Sequence, residues 1–154
     1  GLIGRGARHD IPAGGGTALL IDESYNANPA SMRATLAQLG ATPATRRIAV
    51  LGAMKELGDF GPAFHAALVE PLASSGAEFA LLVGPEMEAL ARELGKGVEG
   101  KLGKRIGFAH CANTEDAIAA LSAFGLESGD AILVKGSNSV GLAKLVAHFS
   151  GKGG

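Results

Sequence analysis

Cysteine is almost missing from this sequence: Cys111 stands alone among 154 residues. One thiol excludes a disulfide framework and a Cys-based zinc cluster within the chain. A reducing cytoplasm is the natural compartment for such a composition. Excess charge of either sign is also lacking, since 14 Lys and Arg face 15 Asp and Glu for a formal net charge of −1. That balance argues against a nucleic-acid footprint and against an electrostatic membrane anchor. Apolar runs such as Ala80-Leu81-Leu82-Val83 fall far short of the ~20 residues that span a bilayer. The opening Gly-Leu-Ile-Gly-Arg-Gly has no secretory pattern. Several fingerprints are absent as well. No GxGxxG follows the first apolar run, and no GxxxxGK(S/T) offers a Walker A loop for a triphosphate and magnesium. Neither GxSxG nor HExxH occurs. The usual apparatus of ATP hydrolysis is therefore not in these residues.

What is present is a globular core. Hydrophobic residues make up 47% and charged residues 19%, which excludes disorder for the body of the chain and fits one ordinary domain. Glycine is over-represented, 24 of 154 residues, against a usual share of about 7%. Most of these glycines close apolar runs, where tight turns and close backbone approaches are needed.

Residues 1–16 carry Arg5, Arg8, His9 and Asp10 among glycines with no apolar period, and read as a connector from a preceding domain. Residues 17–150 read as the domain and 151–154 as a flexible tail. From Thr17 on, short apolar runs alternate with helical periods. The runs at 17–22, 47–51, 78–83, 105–109 and 131–134 predict strands. Helices are expected from Pro29 to Gly40, 61–75, 86–94, 113–124 and 139–149. Asn28 and Asn113 stand at the N-cap positions and Pro29 opens its helix. Phe64, Leu68 and Leu72 are expected on one face of the 61–75 helix. The strands are continuous apolar runs and not alternations, so the predicted fold is α/β, Rossmann-like, a mostly parallel sheet with helices on both faces.

Ligands of such folds sit beyond the carboxyl ends of the strands. The informative segments are therefore Asp22–Pro29, Gly52–Gly58, Gly84-Pro85-Glu86 and Lys135–Ser139. In the first, Asp22 or Glu23 can accept from ribose hydroxyls or brace the loop. Asn26 and Asn28 offer donors and acceptors, and Asn28 can serve as a cap alone. Tyr25 can pack on a base or on the protein. In the last, Lys135 and the turn before a helix suit an anion, or form a plain Gly-Ser turn with a solvated lysine. In the second, Lys55 reads as solvated, and Glu56 can meet an ammonium group. His65 reads as packing before it reads as a ligand. His9, His110 and His148 have no metal-ligand spacing, and Cys111 reads as structural.

The run Leu20-Ile-Asp-Glu-Ser-Tyr-Asn-Ala-Asn-Pro-Ala-Ser-Met32 resembles the opening of the C-terminal domain of the Mur ligases. The branch it resembles is the MurF type, which adds D-alanyl-D-alanine to UDP-N-acetylmuramoyl-tripeptide. Gly52-Ala-Met-Lys-Glu-Leu-Gly58 with His65 is similar to that branch's G-x-M-x-E-L-G…H segment, and Leu133-Val-Lys-Gly-Ser-Asn-Ser139 to its VKGSRS loop. Asn138 stands where the family usually has arginine, and Glu23 where aspartate is common. The resemblance implies a mobile third domain that closes over a central ATPase domain of the same polypeptide. It implies a cytoplasmic ligase of peptidoglycan precursor synthesis, working through an acyl phosphate with ATP and Mg2+. It also implies that this chain alone is inactive. By motif, Asp22, Glu23, Tyr25, Asn26 and Asn28 would face the nucleotide. Met54, Glu56, Lys135, Ser137, Asn138 and Ser139 would line the acceptor side. No residue is marked as a proton-transfer catalyst or a metal ligand. Two other readings stay open: a free-standing α/β nucleotide- or metabolite-binding module, and a related Mur or folylpolyglutamate ligase domain. The latter tends to carry D-x-A-H-x-P in the first loop, where this sequence has Asn26 and Asn28.

Overall fold

A computed structural model of the chain describes residues 3–151. In chain order the elements are β1 (Ala7–Ala13), β2 (Gly16–Glu23), α1 (Pro29–Ala41), β3 (Arg46–Gly52), α2 (Gly61–Ala66), α3 (Val69–Ser74), β4 (Ala77–Val83), α4 (Glu88–Leu94), β5 (Gly107–Cys111), α5 (Thr114–Phe124), β6 (Asp130–Lys135) and α6 (Ala143–Phe149). They build one six-stranded sheet in the order β1-β2-β6-β3-β4-β5. Every pairing is parallel except β1 with β2. The α/β, Rossmann-like fold read from the sequence is the fold observed.

The sheet is covered on both faces. Ile21, Ala49, Leu51, Ala80, Leu82 and Leu133 meet residues of α1 to α4 on one side. The alternate residues Leu20, Ile48, Val50, Leu81, Val83 and Ile132 meet α5 and α6 on the other. This is why the strands lack polar alternation; β6 is buried along its whole length.

Four expectations need correction. The connector expected over 1–16 contains β1, an edge strand paired to β2 through the two-residue turn Gly14-Gly15. Its burial alternates around Ile11, with Arg8 exposed, and Pro12 is tolerated on an edge where its missing N–H leaves no ladder bond unmade. Small Ala7 and Ala13 hide that period from the sequence. The helix expected at 61–75 is two short helices, since Pro71 offers no N–H to continue the ladder across Ala67 and Leu68. Leu68 and Leu72 are buried, whereas Phe64 is 40% exposed. The closing helix starts only at Ala143, because Gly141 sits in the left-handed region at φ 86°. The fifth strand lies two residues later than expected. The tail expected at 151–154 lies outside the described residues from Lys152 onward.

The topology fixes where a site can form. The chain leaves β3 toward α2 on one face and leaves the adjacent β6 toward α6 on the other. That reversal opens a crevice at the carboxyl ends of β3 and β6. Two features hold these strands together. At their amino ends Arg46 makes a two-pronged ion pair with Asp130, at 2.9 and 2.7 Å, and also donates to the Gly125 carbonyl. At their carboxyl ends Gly52 and Gly136 touch: a Cβ on Gly136 would lie 2.9 Å from the Gly52 Cα and 2.9 Å from a Leu142 methyl. A methyl there forces backbone or core to shift. We expect Gly136→Ala to lower stability by about 2 kcal/mol in urea denaturation. Gly15→Ala, which points into open space, should change it by less than about 0.5 kcal/mol.

Candidate functional site

Three rim loops converge over the Gly52–Gly136 contact. The Ser137 N–H donates to the Ala53 carbonyl at 3.0 Å, and the Lys55 N–H donates back to Ser137 Oγ at 3.0 Å. The Ala53 N–H donates to the Val83 carbonyl, and the Met54 N–H to His65 Nε2 at 3.0 Å. Three successive backbone donors are thereby tied to three different elements. His65 is buried, and its Nδ1 lies 2.7 Å from the Gly61 carbonyl. A carbonyl only accepts, so Nδ1 carries the proton and Nε2 accepts. His65 is a packed brace of the second loop, in line with the blander of its two readings. Beyond it Glu56 adopts φ 63°, a conformation that costs a non-glycine residue on the order of 1 kcal/mol or more.

The first loop is joined to the last from below. Lys135 is 4% exposed, and its Nζ donates to the Asn26 carbonyl at 2.7 Å. Burial lowers its pKa from the ordinary lysine value, and the neighbouring Glu23 carboxylate works against that shift. Lys135 is thus no solvated lysine, but a buried cation supporting the loop that carries Asn26. Asp22 is likewise internal. Its Oδ2 accepts from the Gly4 N–H at 3.0 Å, while Oδ1 accepts from the Ser24 N–H at 3.0 Å and hydroxyl at 2.6 Å. Asn28 is the N-cap of α1 in a reciprocal capping box with Ser31.

Together these loops enclose an open groove of about 700 Å³, lined by Tyr25–Asn28, Lys55–Leu57 and Ser137–Ser139. Of the residues expected to face a nucleotide, Tyr25, Asn26 and Asn28 line it. Asp22 lies within the loop, and Glu23 borders a separate cleft with Arg8 and Gln38. Of those expected on the acceptor side, Glu56, Ser137, Asn138 and Ser139 line it. Met54 borders an adjoining pocket with its side chain nearly buried, and Lys135 lies beneath. The Arg5 guanidinium covers one face of the Tyr25 ring at 4.0 Å, leaving the other for a flat ligand. Among the described residues Lys55 is the one cation lining the groove.

Lys55 and Glu86 have more part in the site than the sequence reading gave them. They form an ion pair across the rim. The signal was there: Glu86 follows Gly84-Pro85 at the end of β4, among the rim segments. Cys111 ends β5 half-buried, its thiol pKa pushed up by burial and by Asp116, as suits a structural cysteine. Among the described residues no group of His, Cys, Asp and Glu is placed to hold a metal ion. No helix among them is long and apolar enough to cross a membrane.

The fold is that of an α/β domain with its open groove at the carboxyl ends of its parallel strands. The sequence profile of the Mur ligase glutamate ligase domain matches residues 8–138. The chain belongs to the Mur ligase family, and the likeness read from its first rim loop is that of the MurF branch. It is 41% identical over 138 residues to the UDP-N-acetylmuramoyl-tripeptide–D-alanyl-D-alanine ligase of Synechocystis sp., covering 88% of this chain and 28% of that protein. Crystallographic MurF from Acinetobacter baumannii superposes with a TM-score of 0.76 at 26% identity, covering 99% of this chain and 31% of that one. MurF from Thermotoga maritima in complex with ADP shares the fold at TM-score 0.74 and 24% identity. The chain spans under a third of the length of these relatives.

Lys135 gives a check on the site's electrostatics. Its ε-amine should titrate below the ordinary lysine value in heteronuclear NMR, and Glu23→Gln should lower it further by removing the opposing charge. The sign for stability follows. Between the lowered native value and the ordinary one the unfolded chain binds the extra proton, so this residue's contribution rises with pH across that window.

Proposed function

We infer that this chain serves as the C-terminal domain of an ATP-dependent ligase that joins D-alanyl-D-alanine to UDP-N-acetylmuramoyl-tripeptide through an acyl phosphate. The observation that carries this reading is the convergence of the three motif loops on one groove. Asp22–Pro29, Gly52–Gly58 and Lys135–Ser139 lie far apart in sequence and share one rim. The relatives named above are ligases of that reaction, and the groove's chemistry suits its nucleotide and acceptor.

The residues present have positioning roles. Tyr25 offers a ring face to a base, and Asn26 and Asn28 offer polar groups to base or ribose. Ser137, Asn138 and Ser139 face the same groove, and Lys55 supplies a positive charge that Asn138 does not. Lys135 acts indirectly, holding Asn26 in place. Phosphoryl transfer depends on positioning and electrostatics, and an acyl phosphate must be kept from water. A domain that closes its groove over a triphosphate-binding partner domain supplies both. Mg2+ would bind with the triphosphate on that partner, and it neutralises phosphate charge when bound. A cytoplasmic setting fits ATP use. The free-standing module is disfavoured by the family match, and the folate branch by Asn26 and Asn28 in the first loop.

The test is a chimera in which this chain replaces the matching segment of the Synechocystis ligase. It should release phosphate and form product when D-alanyl-D-alanine is supplied, while the 154-residue chain alone does neither. Lys135→Ala in the chimera should lower kcat/KM for ATP about tenfold, close to 1.4 kcal/mol, because it frees the loop that carries Asn26. A folded chimera that makes no product, or turnover by the chain alone, overturns the reading.

A further inference from the structure

The helix after the second rim loop carries an apolar face that the described residues leave uncovered. Phe60 ends a one-turn helix over Gly58–Phe60 that runs directly into α2. His65 and Leu68 of this segment pack inward. Phe60, Ala63, Phe64 and Ala67 follow one another at i, i+3, i+4 and i+7, and all four are exposed, Phe60 at 70%. Asp59 and Glu70, both exposed, bracket the stripe, and no Asp, Glu, Lys or Arg falls between them. The other large apolar side chains that are exposed, Ile3, Tyr25 and Leu102, stand singly outside the helices. Single apolar side chains are ordinary on a surface, whereas an apolar stripe with a charged border marks a place of contact.

The stripe is built onto the groove. The Phe60 N–H donates to the Leu57 carbonyl at 3.2 Å, and Leu57 is part of the groove wall. From the opposite side of the helix His65 holds the Met54 N–H. Wall and stripe are therefore one piece, and a body seated over the groove at that wall reaches the stripe within one helical turn. The size of the stripe selects the kind of partner. A phenylalanine buries about 150–250 Å², so the pair falls well short of the ~800 Å² per side that a free-standing interface buries. A domain tethered in the same polypeptide needs less, because linkage holds it at an effective concentration of about millimolar. The relatives contain such a partner, since the match takes up 28% of the Synechocystis ligase and 31% of the Acinetobacter MurF.

We propose that the Phe60–Phe64 stripe is a docking face that seats against an apolar surface of the triphosphate-binding domain of the same polypeptide. The proposal rests on the reading above. The two rings make hydrophobic contact beside the groove, and Leu57 and His65 carry that contact into the loop of Lys55 and Glu56. Docking at the stripe thus sets the second rim loop as the groove is shut.

The chimera described above tests this with p-benzoyl-phenylalanine incorporated at position 64. Irradiation should join that position to a peptide of the triphosphate-binding domain within the same molecule, and in higher yield with ATP bound than without. Phe60→Ser combined with Phe64→Ser should lower kcat/KM about tenfold, by the same factor for ATP and for D-alanyl-D-alanine. Both rings are exposed, so urea denaturation of the 154-residue double variant should match that of the parent chain. Leu102→Ser, at an exposed leucine of the loop before β5, should leave turnover unchanged. No cross-link to the partner domain, a cross-link to a second molecule, or unchanged turnover in the double variant overturns the docking face while the ligase reading stands. A loss confined to one substrate marks a ligand contact and overturns it too. A folded chimera that makes no product overturns the ligase reading, and there the cross-link alone decides the docking face.

Discussion

At the carboxyl ends of β3 and β6 two backbones come into contact because neither Gly52 nor Gly136 has a side chain. The loops that follow are thereby close enough to bond directly, Ser137 to Ala53 and Lys55 to Ser137. Without that approach the second and third loops would stand apart, and the crevice at the switch in chain direction would have no floor. The Arg46–Asp130 pair holds the other ends of the same strands in register. Rigidity below and contact above make this strand pair the frame of the site.

On that frame the side chains divide their work in a way their chemistry alone does not reveal. Asp22, His65 and Lys135 are the residues a chemist would first suspect of catalysis. All three are buried and engaged within the chain. They set loop positions. The groups left free for a ligand are milder: a tyrosine ring, asparagine amides, serine hydroxyls and the Lys55–Glu86 pair. Groups of this kind suit the positioning role proposed above, which is what phosphoryl and acyl transfer would ask of a closing domain.

Much of this was legible in sequence because it follows from local physics. Continuous apolar runs mark strands covered on both faces, and Asn28 and Asn113 cap their helices as their positions foretell. The three rim segments could be picked out because parallel strands put ligands at their carboxyl ends. Where the reading failed, a distant partner decided the outcome. β1 is a strand only because β2 offers it an edge.

The sequence by itself determined the fold class, the family and the segments that line the groove, since hydrophobic period, capping and motif order are properties of neighbours along the chain. Only the tertiary structure decided which polar groups face the groove. Whether a carboxylate or lysine is a brace or a contact depends on the atoms that surround it. For Asp22 those atoms belong to Gly4 and Ser24, for Lys135 to Asn26, and for Glu86 to Lys55. All but Ser24 lie well away in the chain, and they meet because burial of the two apolar layers folds the sheet that brings them together.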